Sequence, residues 1–409
     1  MPNINSLTKS LVNLKRSTWA MSLSSTTGEA IAVSHNTMNT EVPTRSDSLI
    51  STSESLAALR RKQQRFTALL FLLLTGCHSI VTHTVTPTFE TDPITDAKDA
   101  ADDSVILASP NGKQVAIIGT NKRRGIELYS IEGRKLAQRN DGRLNNVDAI
   151  TSSIPHIFNV AVSNRTSRSI DIYTIDIQTH SIKKIRSIPL SMDEPYGLCT
   201  SRKAIYVGNK DGLVQSWTWD GKGPTSEYRL ASQTEGCVVD RNESYLYVGE
   251  EERGIWQFDL STGKKQLVFP IDNKWLTADV EGIDIYQRDN KNYLIASSQG
   301  NDTYTTFDLE TLKPLLRFQI EESNQLGIDG TEDTDGVSIH AGPIQNFPLG
   351  LLVVQDGYNV SAEGKKDNQN FKVIDWRLIQ SLIDNTKQHK SDISPDRLVS
   401  AATPPSPLP

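Results

Sequence analysis

Two sets of polar residues recur along this chain, and brought together they would make a site for cations and an anion. The first set stands ahead of short apolar runs: Asp102-Asp103, Asn145-Asn146 with Asp148, Glu194 with Tyr196, Glu235, Asp279 with Glu281, and Asp329, Asp333 and Asp335. The second follows other apolar runs: Lys122, Arg165, Lys210-Asp211, Glu250-Glu251, Gln299 with Asn301 and Asp302, and Gln355-Asp356 with Asn359. Carboxylates crowded at one mouth raise each other's pKa unless cations neutralise them. Ca²⁺ suits such a set, because it accepts oxygens from carboxylates, amides and carbonyls in flexible geometry. No His or Cys cluster has the ligand spacing of a zinc site. Lys122, Arg165 and Lys210 would hold an anion against those cations, which points to phosphate esters.

These residues can share one rim only if the segments between them repeat, and they do. One series of strands reads Val-Ala-Ile-Ile-Gly-Thr from Val115, Asn-Val-Ala-Val-Ser-Asn from Asn159, Ile-Tyr-Val-Gly-Asn from Ile205, Leu-Tyr-Val-Gly-Glu from Leu246, Leu-Ile-Ala-Ser-Ser-Gln from Leu294 and Leu-Val-Val-Gln-Asp from Leu352. Each has a partner, at Ile126–Tyr129, Ile170–Tyr173, Val214–Trp217, Ile255–Phe258, Tyr304–Phe307 and Phe371–Ile374. A period of about 40–55 residues is that of four-stranded propeller blades, so the expected fold is an all-β, six-bladed β-propeller. In a blade, the loops before the first strand and after the second lie on one face, where both polar sets would meet. No long helical pattern is expected.

Residues 1–58 are polar and rich in Ser, Thr and Asn, and are expected to be disordered or a non-native extension. A basic stretch at Arg60-Arg61-Lys62 and an apolar run from Phe66 to Leu74 then read as an export signal over 59–77, too short to span a bilayer. Translation is expected to start near Leu59. The run ends in Leu74-Thr-Gly-Cys77, which resembles a bacterial lipobox, so Cys77 is the expected lipidation site and the anchor to the cell envelope, with an extracellular protein as the alternative. Residues 78–98 are expected to be a tether, 99–385 the propeller and 386–409 a disordered tail. The formal net charge of −6 argues against a nucleic-acid partner. Cys199 and Cys237 stand at corresponding places in adjacent repeats; a disulfide and two buried thiols are both open.

Ten short strings in order resemble the β-propeller phytases, alkaline calcium-dependent phosphatases of myo-inositol hexakisphosphate. They include Gly119-Thr-Asn-Lys122, Asp141-Gly-Arg-Leu-Asn-Asn-Val-Asp148, Ser163-Asn-Arg165, Tyr196-Gly197, Glu235-Gly236, Thr277-Ala-Asp-Val-Glu-Gly282, Ala296-Ser-Ser-Gln-Gly-Asn301, Asp333-Thr-Asp-Gly336, Val354-Gln-Asp-Gly357 and Asn368-Gln-Asn-Phe371. The resemblance implies calcium ligands at Asp103, Glu235, Glu250, Asp279, Glu281, Gln299, Asp329, Asp335 and Asn359. It implies phosphate contacts at Lys122, Arg165, Tyr196 and Lys210, with Glu235 and Glu281 also catalytic. The implied reaction is direct attack of a metal-activated water on phosphorus, in a monomer, on substrates with adjacent phosphates. The chain departs from the family's pattern at Ser104-Val-Ile-Leu107, where Pro and an aromatic are usual, and at Asp211, where a Glu is common. The competing expectations are a calcium-stabilised binding propeller with little catalysis and a calcium-dependent hydrolase of another class. Motifs for covalent phosphatases and Walker-type loops are absent.

Overall fold

A computed structural model describes residues 80–392 of the chain. Ahead of the blades lie β1 (Thr82–Val85) and β2 (Phe89–Glu90). Blade one is β3 (Ala101–Ala108), β4 (Val115–Asn121), β5 (Gly125–Ser130) and β6 (Lys135–Asn140); blade two is β7 (Leu144–Thr151), β8 (Ile157–Asn164), β9 (Ser169–Asp176) and β10 (Ser181–Pro189). Blade three is β11 (Pro195–Thr200), β12 (Ala204–Asn209), β13 (Leu213–Thr218) and β14 (Ser226–Arg229); blade four is β15 (Thr234–Val239), β16 (Tyr245–Glu250), β17 (Gly254–Asp259) and β18 (Lys265–Pro270). Blade five is β19 (Val280–Arg288), β20 (Lys291–Ser298), β21 (Thr303–Asp308) and β22 (Lys313–Ile320), and blade six has β23 (Val337–His340), β24 (Leu351–Asp356) and β25 (Asn370–Asp375). The architecture is the six-bladed β-propeller.

The middle strands are apolar almost throughout because neighbouring blades cover both of their faces: β4, β5 and β24 are buried nearly end to end. The outermost strands alternate or turn polar, as in β6 and β10, where one side meets water. The stretch expected to be a tether contributes two strands to the blades instead. β1 adds a parallel fifth strand to blade five, pairing Thr82 with Arg317, and β2 completes blade six, pairing Phe89 with Val373. The expected absence of a long helix is also overturned: α1 (Trp376–Asp392) extends into the stretch expected to be tail. Trp376, Ile379 and Ile383, one helical stripe, are fully buried, and the Trp376 ring stacks on Tyr286 at 4.0 Å between centroids.

One local irregularity positions the site. On the innermost strand of blades one to five the ladder to the second strand slips by one residue, between Ala101 and Ser104, Leu144 and Val147, Pro195 and Leu198, Thr234 and Cys237, and Val280 and Ile283. Each slip is a β-bulge that leaves two residues unpaired at the rim. The second residue of the pair is Gly197, Gly236 or Gly282 in blades three to five, and Gly336 takes the corresponding place in blade six. There the inner strands touch backbone to backbone: a Cβ on Gly236 would lie 2.3 Å from the carbonyl oxygen of Glu281. Gly236→Ala is therefore expected to destabilise the fold by about 2 kcal/mol or more, read as a lower Tm, since the blocking atoms are main chain.

Candidate active site

The first residue of each bulge pair is Asp102, Asn145, Tyr196, Glu235 and Glu281, and Asp335 precedes β23 in the same way. These six form an inner ring. The residue just after the second strand of each of the first five blades is Lys122, Arg165, Lys210, Glu251 and Gln299, and these form an outer ring around it. Blades one to three thus supply the outer cations, whereas blades four and five supply a carboxylate and an amide.

The rings are in contact. Lys122 Nζ bonds Asp335 Oδ2 at 2.6 Å and Asp99 Oδ1 at 2.6 Å, and lies 3.3 Å from Asp102 Oδ1. Burial opposes the charge on Lys122, but Asp102, Asp335 and Asp99 outweigh it and hold its pKa above the ordinary lysine value. Gln299 Nε2 donates to Asp335 Oδ1 at 2.8 Å, and Asn145 Nδ2 to Glu235 Oε1 at 3.4 Å. The guanidinium of Arg165 and the ammonium of Lys210 both lie over the Tyr196 ring, 5.1 Å and 4.7 Å from its centroid, a cation–π arrangement that orders both long side chains.

The opposite side is acidic. Oxygens of Glu235, Glu251 and Glu281 lie within 4.8 Å of one another. Burial pushes Glu235 and Glu281 well above the usual carboxylate range; the charge of Glu281 adds to the shift of Glu235, and the charges of Asp335 and Glu251 add to that of Glu281. Burial raises Asp335 to about 7 against the pull of Lys122, and raises Asp102 and Glu251 as well. Asp102, 1% exposed, has neither carboxylate oxygen hydrogen-bonded, and Glu281 Oε2 and Glu251 Oε1 also lack a partner. Such a set is short of positive charge, since the Lys122 ammonium is the one cation paired with Asp102 among the described residues, and oxygen-only donors with atoms left without hydrogen bonds fit a hard divalent cation.

Two expected ligands stand elsewhere. Asp103, beside Asp102, lines the central channel and accepts the Val147 N–H at Oδ2, 3.0 Å. Glu250, the last residue of β16, is fully buried. It accepts from Ala231 N–H, Ser232 N–H and Ser232 Oγ at Oε1 and from Trp256 Nε1 at Oε2, so its oxygens are committed to the turn. Asn121, Asn164 and Asn209 hold the equivalent place at the ends of their strands, each accepting an N–H group of its own following turn, whereas Glu250 serves the segment between β14 and β15. The residues that reach the ring are Asp102 and Glu251. The signal for them was the phase of Tyr196-Gly197, Glu235-Gly236, Glu281-Gly282 and Asp335-Gly336, in which the ring residue is always the first of the pair.

Asp279 borders the acidic side, where burial and the charge of Glu252 raise its pKa. Asp329 and Asn359 gather instead on the fully buried Lys372: its Nζ donates to Asp329 Oδ1, to Asn359 Oδ1 at 3.0 Å and to Glu90 Oε2 at 2.5 Å, and lies 3.2 Å from Asp356 Oδ2. Three carboxylates there face one ammonium, leaving two formal negative charges. Cys199 and Cys237 are joined, with S–S 2.05 Å. Cys77 and the rest of 59–77 lie outside the described residues, among which no helix is long and apolar enough to cross a membrane.

A sequence model of the phytase family matches residues 72–401. A 3-phytase of Bacillus subtilis (strain 168) is 35% identical over 346 residues, covering 77% of this chain and 89% of that protein. Among solved structures, a chain of the nidogen–laminin complex covers 53% of this chain and 79% of its own length at TM-score 0.40 and 12% identity, too remote to bear on function.

Proposed function

The chain belongs to the phytase family and hydrolyses phytate, and we propose that it does so at the double ring, with calcium held by the acidic half and the substrate phosphate by the basic half. The observation that carries this reading is the polarity of the ring: three outer cations on blades one to three face carboxylates from blades four to six, among which Glu251 Oε1 and Glu281 Oε2 have no hydrogen-bond partner. Glu235, Glu251 and Glu281, with Asp102, Asp335, Asp279 and Gln299 beside them, would hold the calcium ions of the site. Asp329 and Asn359, with Glu90 and Asp356, form a second proposed calcium set, because Lys372 balances only part of its charge. Bound calcium would neutralise phosphoryl oxygens and acidify a water.

The chain's own residues do the positioning. Lys122, Arg165 and Lys210 converge on a phosphate, and Arg165 Nε, buried without a partner, has a free donor for it. The phosphate must displace one partner of Lys122, and Asp99, with its side chain 75% exposed, is the one free to leave. Tyr196, whose phenol is held above its usual pKa by burial and by Glu235, keeps its proton and can donate it in a hydrogen bond. Glu281 Oε2, which lacks a partner, would take a proton from the attacking water while the phosphorus–ester bond breaks in line and the departing inositol oxygen takes a proton from solvent water. Export by residues 59–77, anchoring through Cys77 and a monomeric state complete the proposal.

The test is phosphate release from phytate by the full chain at pH 7.5, with calcium and with excess chelator. Release is expected to fall about 100-fold or more on chelation and to return with calcium. Undiminished release in chelator would sink the calcium assignment while leaving the family intact.

A further inference from the structure

The disulfide lies closer to the site than its place in the channel wall implies. Cys199 is three residues beyond Tyr196 on β11, and Cys237 two beyond Glu235 on β15. Tyr196 is the ring on which Arg165 and Lys210 rest; Glu235 belongs to the carboxylate group of the opposite half. The covalent link therefore crosses from the basic half of the site to the acidic half, at the boundary between blades three and four.

Other blade boundaries are tied differently at this level. Blades five and six share a hydrogen bond from Gly282 N–H to the Asp335 carbonyl at 2.7 Å, and blades six and one share one from Gly336 N–H to the Asp102 carbonyl at 3.0 Å. Blades two and three are clasped by Asp148 Oδ2, which accepts Thr200 N–H at 2.6 Å. Blades six and one also carry a counterpart of the disulfide: Ser338 and Ser104 occupy the register positions of Cys199 and Cys237, and their hydroxyls meet at 3.0 Å. At the boundary of blades three and four the strands approach so closely that a Cβ on Gly197 would lie 1.9 Å from the Glu235 carbonyl oxygen. Thr234 Oγ1 also donates to the Asn209 carbonyl across this boundary at 3.4 Å, and the disulfide adds a covalent tie beside these contacts.

We propose that the Cys199–Cys237 disulfide is a positioning element for phosphate binding, fixing the separation of Tyr196 from Glu235 so that the cations and the carboxylates address one phosphate together. The proposal rests on the double-ring reading of the site. Its chemistry makes it reversible: dithiothreitol cleaves the S–S bond to two thiols and is itself oxidised to its cyclic disulfide. Cys237 lines the channel and is only partly buried, which gives the reductant a route.

The experiment uses the full chain, oxidised and reduced, together with C199A/C237A and C199S/C237S. Alkylation followed by mass measurement confirms two additional free thiols after reduction. The reduced protein and the Ala pair are expected to show KM for phytate raised about tenfold with kcat within about twofold. The Ser pair should lie between them and the oxidised protein, because its hydroxyls can repeat the Ser338–Ser104 contact. A lower Tm alone, with KM unchanged in every form, would show that the link only stabilises the fold and would overturn the proposal. Binding of myo-inositol hexasulfate, followed by calorimetry, reads the same geometry without turnover. An oxidised protein that binds the hexasulfate but releases no phosphate from phytate would count against the enzymatic reading, and the positioning role would still be decided by whether reduction weakens that binding.

Discussion

Lys122→Ala is expected to lower kcat/KM for phytate by about 100- to 1,000-fold at saturating calcium, the usual cost of one donor aimed at transition-state charge. Lys122 is the one outer-ring cation in contact with inner-ring carboxylates, through Asp335 and Asp102. Its removal deletes a phosphate donor and also leaves buried negative charge uncompensated. Breaking a buried ion pair costs about 3–5 kcal/mol, so the calcium-free variant should melt well below the calcium-free parent. Calcium should narrow that gap, because added positive charge serves the same carboxylates. Steady-state kinetics paired with melting curves check both effects. Near-parental kcat/KM in Lys122→Ala would remove Lys122 from the phosphate site.

Without calcium, the protein is expected to lose stability as pH rises from about 4 to about 7. The direction follows from Asp335, whose pKa burial raises from 3.8 to about 7. A carboxyl raised in the folded state favours folding while both states are protonated, and that advantage is lost once the unfolded chain ionises first. Asp335 alone would contribute on the order of 4 kcal/mol between those limits. Glu235 and Glu281 shift in the same direction, so they extend the loss further toward alkaline pH. The check is a Tm series in chelator from pH 5 to pH 8, repeated with calcium and with Asp335→Asn. Tm should fall across the series in chelator, fall less in the Asn variant, and be restored most by calcium at pH 8. A chelated protein whose Tm climbs with pH would contradict the environment assigned to these carboxylates.

Much of this arrangement was legible in the chain because it repeats. Strands covered on both faces must be apolar throughout, and polar turns punctuate them, so the runs from Val115 to Ile374 mark their own blades. Short pieces lack that signal. β1 has four residues and β2 two, and they earn their place through partners more than 230 residues away, Arg317 and Val373, rather than through local pattern. The helix did have a pattern, Trp376, Ile379 and Ile383, but it is brief and follows a strand directly. At two places in the ring the sequence left a choice between neighbours. Asp102 or Asp103, and Glu250 or Glu251, differ only in which side of the chain they face, and that depends on a bulge and on where a strand ends. The pairs that contain glycine settle the phase, since glycine must take the crowded second position.

The closure of blade six by β2 has a consequence for how the protein is made. Phe89 leaves the ribosome long before Val373, yet the two are strand partners. One of the earliest strands of the domain to be synthesised therefore waits, unpaired, for the last. Until residue 375 has emerged, the growing chain is an open arc whose first and last blades each expose an unsatisfied flank. A transcript cut short anywhere in the final repeat would yield a chain in which most strands exist and the circle does not. Folding of this protein is completed by its ends meeting, so loss of either end should be felt around the whole ring rather than at the blade that was shortened.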